Sequence, residues 1–414
     1  MLEGLKLEGV GPSPRMSFSF APRLNLLTGD NGLGKTFVLD LAWWALTSQK
    51  WESLTALPRK DWPGKPRVEA SIVRDDGVRH RFSQTIPPYP IDPGGFAAHQ
   101  ALTLYARVDG SFSVWDPIRN NPHWQSRVQT PLPEYAFSRE ELWDGLERNG
   151  RVVCNGLIRD WVSWQLKRSE SFDRLRRVLR VLSSDDQEPL TPGEPTRIGI
   201  DDVRDIPTLE LPYGTVPLTH ASAAVKRIVG LAYLLVWAWE EHQRAAELFR
   251  EETSKSLVLL VDEVEAHLHP RWQRLILPSL LSVAGELRPD VKVQILAVTH
   301  APMLLASVEP HFDPEQDALF MFDLVGGEVK VTRADWRPRG DANAWLTSEV
   351  FDLKEPRSVE AEEAITRAKA ALKDPQLPIE KVREIHNELY RLLKDTDPFW
   401  PRWLARAEAA GIEP

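Results

Sequence analysis

The chain has 414 residues, 42% hydrophobic and 27% charged, with a formal net charge of −9. These proportions exclude a wholly disordered or collagen-like chain, and the acidic balance argues against bulk electrostatic capture of nucleic acid. The single cysteine, Cys154, excludes an internal disulfide framework and a multi-cysteine zinc site, and suits a reducing cytoplasm.

No basic stretch followed by an apolar core opens the chain, so Met1 to Arg15 does not read as a signal peptide. In chain order, Leu24 to Thr28 is a short apolar strand, Gly29 to Thr36 a glycine loop, and Phe37 to Leu46 an apolar helix. Val68–Arg74 and Val78–Phe82 around Asp75-Asp76-Gly77, and Leu102–Val108 and Ser111–Trp115 around Asp109-Gly110, carry hairpin signals. They predict an antiparallel β subdomain over 67–117. Arg139 to Leu182 is helical in pattern, a helical insertion over 135–185. Prolines 189, 192, 195, 207, 212 and 217 make 183–217 loop with short extended pieces. Ala221 to Arg250 is a long helix. Its apolar run Ile228–Trp239 falls short of the roughly 20 residues of a membrane span, so it reads as a core helix. Leu257–Val261 and Val291–Val298 are continuous apolar strands, typical of a parallel sheet, with helical Arg271–Leu287 between them. Ser358 to Leu393 reads as two amphipathic helices. The expected organisation is a head over 1–345 and a helical C-terminal tail over 346–414.

Gly29-Asp30-Asn31-Gly32-Leu33-Gly34-Lys35-Thr36 matches G-x-x-x-x-G-K-[ST] in full. Glycines let backbone N–H groups wrap phosphates at a helix N-terminus, Lys35 reaches the β- and γ-phosphates of ATP, and the Thr36 hydroxyl ligates Mg²⁺. Leu257 to Val261 ends in Asp262-Glu263, the Walker B pattern: a buried strand delivers Asp262 to the Mg²⁺ side, and Glu263 is placed as general base. Glu265-Ala-His267-Leu-His269-Pro270 holds two histidines beside carboxylates. Without a third His or Cys it is weak metal evidence, and Pro270 also fits a helix start. Thr299-His300 directly follows a strand, where the ligand crevice of an open α/β sheet lies.

These motifs in this order resemble the ABC-type ATPases of the SMC-like class. More closely, the chain is similar to stand-alone bacterial AAA-family ATP-binding proteins carrying Asp-Glu-x-Glu-x-His-Leu-His-Pro, many of them encoded in anti-phage defence or toxin-like modules with a second effector protein. The resemblance covers about residues 1–335. It implies an α/β P-loop fold, an ABC-type head with a mixed central sheet, and a homodimer or higher oligomer that sandwiches two ATP molecules. It places His300 at the switch histidine and Glu265, His267 and His269 at the D-loop facing the partner subunit. Ser222 matches the signature serine that completes the site in trans. Ala223 stands where the family has Gly, an added methyl against the γ-phosphate. Segment 219–227 equally fits a plain helix N-cap by Thr219 or Ser222. Gln84 and Gln100 are the candidates for the Q-loop glutamine.

No heptads lie between Thr36 and Ser222, so the coiled-coil arms of true SMC proteins are not expected. Residues 166–182 carry Lys167, Arg168, Arg174, Arg176, Arg177 and Arg180, a candidate nucleic-acid or acidic-partner contact, although such a run is more often a solvated helix face. Nine of the 16 Trp fall between the glycine loop and residue 165 and none within the motifs; buried packing is the expected fate of most, and the excess directs the search for partner specificity outside the ATP site. The function expected is an ATP-hydrolysing, nucleotide-dimerising cytoplasmic enzyme, with no membrane association, that drives or regulates an effector. The alternatives are an ATP-dependent switch or scaffold with little hydrolysis and a DNA-repair-like DNA-binding ATPase. A nuclease in its own right is disfavoured, since no second acidic or nucleophilic cluster is visible.

Overall fold

A computed structural model describes residues 1–48, 58–86, 101–120, 134–183, 189–374 and 376–412. The chain divides into two compact units, Met1–Gly340 and Asp341–Pro414.

The strands of the first unit are β1 (Leu2–Glu8), β2 (Arg15–Ser19), β3 (Leu24–Gly29), β4 (Arg67–Val73), β5 (Arg79–Thr85), β6 (Leu102–Ala106), β7 (Phe112–Trp115), β8 (Tyr135–Phe137), β9 (Leu146–Arg148), β10 (Arg151–Cys154), β11 (Thr191–Thr196), β12 (Ile206–Leu211), β13 (Gly214–Pro217), β14 (Ser256–Val261), β15 (Lys292–Val298), β16 (Asp317–Val325) and β17 (Glu328–Arg333). Among the described residues the largest sheet has eight strands in the order β17-β16-β3-β15-β14-β6-β7-β8. The run β16-β3-β15-β14-β6 is parallel, and the flanking strands are antiparallel. The sheet is therefore mixed. Every residue of β14 is buried, as expected for a strand covered on both faces. Parallel register brings the carboxyl ends of β3, β15, β14 and β6 to one edge, the general ligand crevice of such sheets.

Strands β2-β1-β4-β5 form a separate antiparallel sheet. The hairpin β6–β7 does not join it, contrary to the expectation of one antiparallel subdomain over 67–117. Leu102 to Ala106 is buried throughout and lies parallel beside β14, so it belongs to the central sheet. The expected helical insertion is also interrupted. Helix Arg139–Asp144 is followed by the hairpin β9–β10 and then by helices Leu157–Leu166 and Glu170–Val181. Asn149 and Gly150, both with positive φ, make the hairpin turn, and Gly145 and Gly156 at positive φ flank it. Asn-Gly was the local signal against a continuous helix. The Pro-rich stretch 191–217 pairs its short pieces into a three-stranded sheet, β11-β12-β13, with Pro192 and Pro195 on an edge strand.

Ser222 caps the long helix Ala223–Phe249, its hydroxyl accepting from the Val225 N–H at 3.3 Å. Ile228 to Trp239 is buried on every side, so the longest apolar run serves the core. No helix among the described residues is long and apolar enough to cross a membrane. The second unit is helical, with Val359–Ala371, Ile379–Leu392 and Trp400–Ala409 packed around Ala364, Ile365, Val382, Leu389 and Trp403.

Candidate nucleotide site

The loop Gly29–Thr36 joins β3 to helix Lys35–Thr47. Two of its glycines are required by sterics. Gly29 (φ 127°) lies so close to β16 that a Cβ would stand 2.2 Å from the Phe322 carbonyl oxygen, and a Cβ on Gly34 (φ 93°) would stand 2.6 Å from Pro12 Cγ. Lys35 is buried, and its Nζ donates to the Gly29 carbonyl at 2.8 Å and the Asp30 carbonyl at 2.6 Å. Burial lowers its ammonium to about 8, against the pull of Asp30, Asp262, Glu263 and Glu265.

The two Walker elements meet directly. Thr36 Oγ1 donates to Asp262 Oδ2 at 2.9 Å. Asp262 is 2% exposed, and its other oxygen, Oδ1, is buried without a hydrogen-bond partner. Burial, reinforced by Glu263, raises the Asp262 carboxyl above its ordinary range, against the Thr36 bond and the nearby Arg227 and Lys35. A hydroxyl and a carboxylate with a spare buried oxygen form the hard oxygen set that suits Mg²⁺. Glu263 follows in the left-handed region (φ 46°), a strained conformation for a side chain of this size. His300 lies beyond β15. Burial and the Lys35 ammonium hold it below its usual value, against Glu263 and Asp30. Gly29–Thr36, Asp262, Glu263 and His300 thus stand at the carboxyl ends of β3, β14 and β15.

Sequence reasoning missed two groups here. Arg227 Nη2 donates to the backbone carbonyls of Asp262 at 2.9 Å and Glu263 at 3.1 Å, and so ties the helix capped by Ser222 to the Walker B turn. Asp40 accepts from the Tyr105 hydroxyl at 3.0 Å, and burial pushes its carboxyl up to about 6. Its spacing of one helical turn after Thr36 was the available signal.

Ser222 and Ala223 are exposed, and Ala223 lines a cavity of about 130 Å³ with Lys226, Arg227, His267 and Trp143. His267 (φ 65°) and His269 are also exposed, and His269 caps helix Pro270–Gln273. Among the described residues no three His, Cys, Asp or Glu side chains cluster to hold a metal ion. Of the two Q-loop candidates, Gln84 lies on β5, in the antiparallel sheet outside the central one, and Gln100 lies outside the described residues. The basic stretch 166–182 is corrected too. It spans two helices, with Arg168 at positive φ between them. Arg174 is buried against Glu240 and Glu170, Arg177 pairs with Glu286, and Arg176 with Asp173. Of its six cations only Arg174 is buried in the fold; the pairs of Arg176 and Arg177 lie on the exposed face.

The central sheet and the direct contact of the glycine loop with the end of β14 have the arrangement of a P-loop fold. Residues 134–306 match the family described as "AAA domain, putative AbiEii toxin, Type IV TA system", a segment that holds Asp262, Glu263 and His300 and begins after the P-loop. Among solved structures, the chain is similar to the SMC head domain from Thermotoga maritima, at 14% identity over 81% of this chain and 99% of that one, with a TM-score of 0.41. It is also similar to an SMC head bound to the C-winged helix domain of ScpA (14% identity, 80% and 97% covered, TM-score 0.42) and to the recombination mediator RecF with ATP (11% identity, 81% and 97% covered, TM-score 0.36).

Proposed function

We propose that the chain binds ATP with Mg²⁺ at Gly29–Thr36, dimerises around the nucleotide and hydrolyses it, and that this cycle drives or regulates a separate effector in the cytoplasm, in bacterial anti-phage defence. The bond from Thr36 to Asp262, with the spare Asp262 oxygen beside it, is the observation that carries the ATP reading. Thr36 and Asp262 would hold Mg²⁺, which supplies charge neutralisation at the β- and γ-phosphates. Backbone N–H groups of the loop cradle the phosphates, and Lys35 exchanges its two carbonyl partners for phosphate oxygens. Glu263 takes the proton of the attacking water as its oxygen bonds the γ-phosphorus and the bond to the β-phosphate oxygen breaks, leaving ADP and phosphate. His300 hydrogen-bonds the γ-phosphate. Ser222 and Ala223, with His267 and His269, face the second copy.

The test is the pair Lys35→Ala and Glu263→Gln. The first abolishes nucleotide binding. The second keeps binding, lowers turnover by about 100-fold or more and traps a dimer in ATP. A Glu263→Gln chain that hydrolyses like the parent overturns the base assignment. A second reading, an ATP-dependent switch with little hydrolysis, is favoured by Ala223 in place of glycine. Turnover no higher than in Lys35→Ala would select it.

A further inference from the structure

The segment after the Walker B strand is unusually constrained. Glu263 and His267 both adopt positive φ, 46° and 65°, and two tight turns link them: the Ala266 N–H donates to the Glu263 carbonyl at 2.9 Å, and the Leu268 N–H to the Glu265 carbonyl at 2.8 Å. The segment is laced to the neighbouring strand end, because the Val264 N–H donates to the Val298 carbonyl at 3.2 Å. Glu265 sits at its centre, and its Oε1 accepts from the backbone N–H of His300. Burial raises the Glu265 carboxyl above its ordinary range, and the His300 bond works against that shift. Two residues further on, His267 is exposed and lines the cavity shared with Ala223, Lys226 and Arg227. One carboxylate therefore stands between the histidine on the nucleotide side and the turn beside the Ser222 helix.

We propose that Glu265 is the positioning residue that couples His300 to the His267 turn, so that contact between His300 and the γ-phosphate sets the surface presented to a second copy of the chain. The physical reason is the short lever. A backbone N–H held by a carboxylate moves only if that carboxylate moves, and the carboxylate belongs to a segment whose two left-handed residues leave it few other conformations. This role rests on the ATP-site reading above.

The test uses the full chain and measures ATP binding, turnover and nucleotide-dependent dimerisation separately. Glu265→Ala is expected to bind ATP within about threefold of the parent while turnover falls about 100-fold, the size of a loss from mispositioning. Glu265→Gln, which retains an acceptor oxygen at Oε1, is expected to recover turnover to within about threefold of the parent. In a double-mutant cycle, adding Glu265→Ala to His300→Ala costs no more than about a further twofold, because one coupling cannot be lost twice. A general structural defect would multiply the two losses. Glu265→Ala in the Glu263→Gln background is expected to bind ATP and stay monomeric, a readout that does not require hydrolysis. If Glu265→Ala fails to fold, Glu265→Asp, which keeps the charge and withdraws it by one methylene, must show the same loss. Parent-like turnover and dimerisation of the variants, multiplying losses, or failure of the Gln variant to recover would overturn the coupling while leaving the ATP site standing. A parent chain that binds no ATP would overturn both.

Discussion

Asp262 gives the sharpest test because its structural cost and its function pull in opposite directions. Its carboxylate is almost fully buried, with one oxygen bonded to Thr36 and the other without a partner. Asp262→Asn keeps the shape and leaves a carbonyl oxygen for Thr36, while removing a charge that the fold holds at a loss. A buried polar group left unpaired costs about 1–3 kcal/mol, and more when charged. The amide keeps part of that penalty, so a net gain of about 1 kcal/mol is expected for the nucleotide-free chain. At this size that is on the order of 1–3 °C in Tm. The pH dependence follows from the direction of the shift. An acid whose folded pKa lies above its unfolded value binds more protons when folded, so the penalty is present above the folded pKa and disappears as pH falls below the ordinary carboxylate range. The gap between variant and parent should be widest near neutrality and close on acidification. Mg²⁺-ATP should then reverse the order, stabilising the parent and not the variant. Thermal melting by differential scanning fluorimetry, with and without Mg²⁺-ATP from pH 4 to 8, measures both. A variant that melts below the parent without nucleotide at neutral pH, or that Mg²⁺-ATP stabilises as much as the parent, would refute the reasoning.

Lys35, lowered to about 8, should make ATP affinity fall as pH rises through that value, up to about tenfold per unit, as titrations from pH 6.5 to 9.5 would show. Gly29→Ala puts a Cβ 2.2 Å from the Phe322 carbonyl at a φ that L-residues avoid, and is expected to cost about 2–4 kcal/mol in urea unfolding even without nucleotide. Arg174→Ala removes a buried guanidinium and strips the partly buried Glu240 of its partner, and should cost about 2–3 kcal/mol, whereas Arg180→Ala, on the exposed face, should change stability by less than about 0.5 kcal/mol.

Much of this protein was legible in one dimension. The loop Gly29–Thr36, the strand ending in Asp262-Glu263 and the strand before His300 are local patterns, because phosphate wrapping and strand burial each constrain a few consecutive residues. The long helix from Ser222 and the two tail helices were likewise visible in periodicity and caps. The errors fell where local signals compete. Asn149-Gly150 turned a helical pattern into a hairpin. Buried Leu102–Ala106, which carries a hairpin signal, was claimed by the parallel sheet, a choice made by its partner β14 and not by its own residues. Buried packing was the expected fate of most tryptophans, and none of the described ones is exposed, with Trp115, Trp161 and Trp239 wholly buried.

Sequence alone therefore determined the candidate residues of the glycine loop and of the Asp262-Glu263 strand end, since each pattern is set within a single loop or strand. Only the tertiary structure decided which groups act on one another. Thr36 meets Asp262 across 226 positions, and Glu265 holds His300 across 35. Strand order creates those contacts, because parallel register carries distant loops to the same sheet edge. The same burial that brings them together raises Asp262 and Glu265 and lowers Lys35, since a carboxylate or ammonium withdrawn from water is defined by its neighbours in space and no longer by those in the chain.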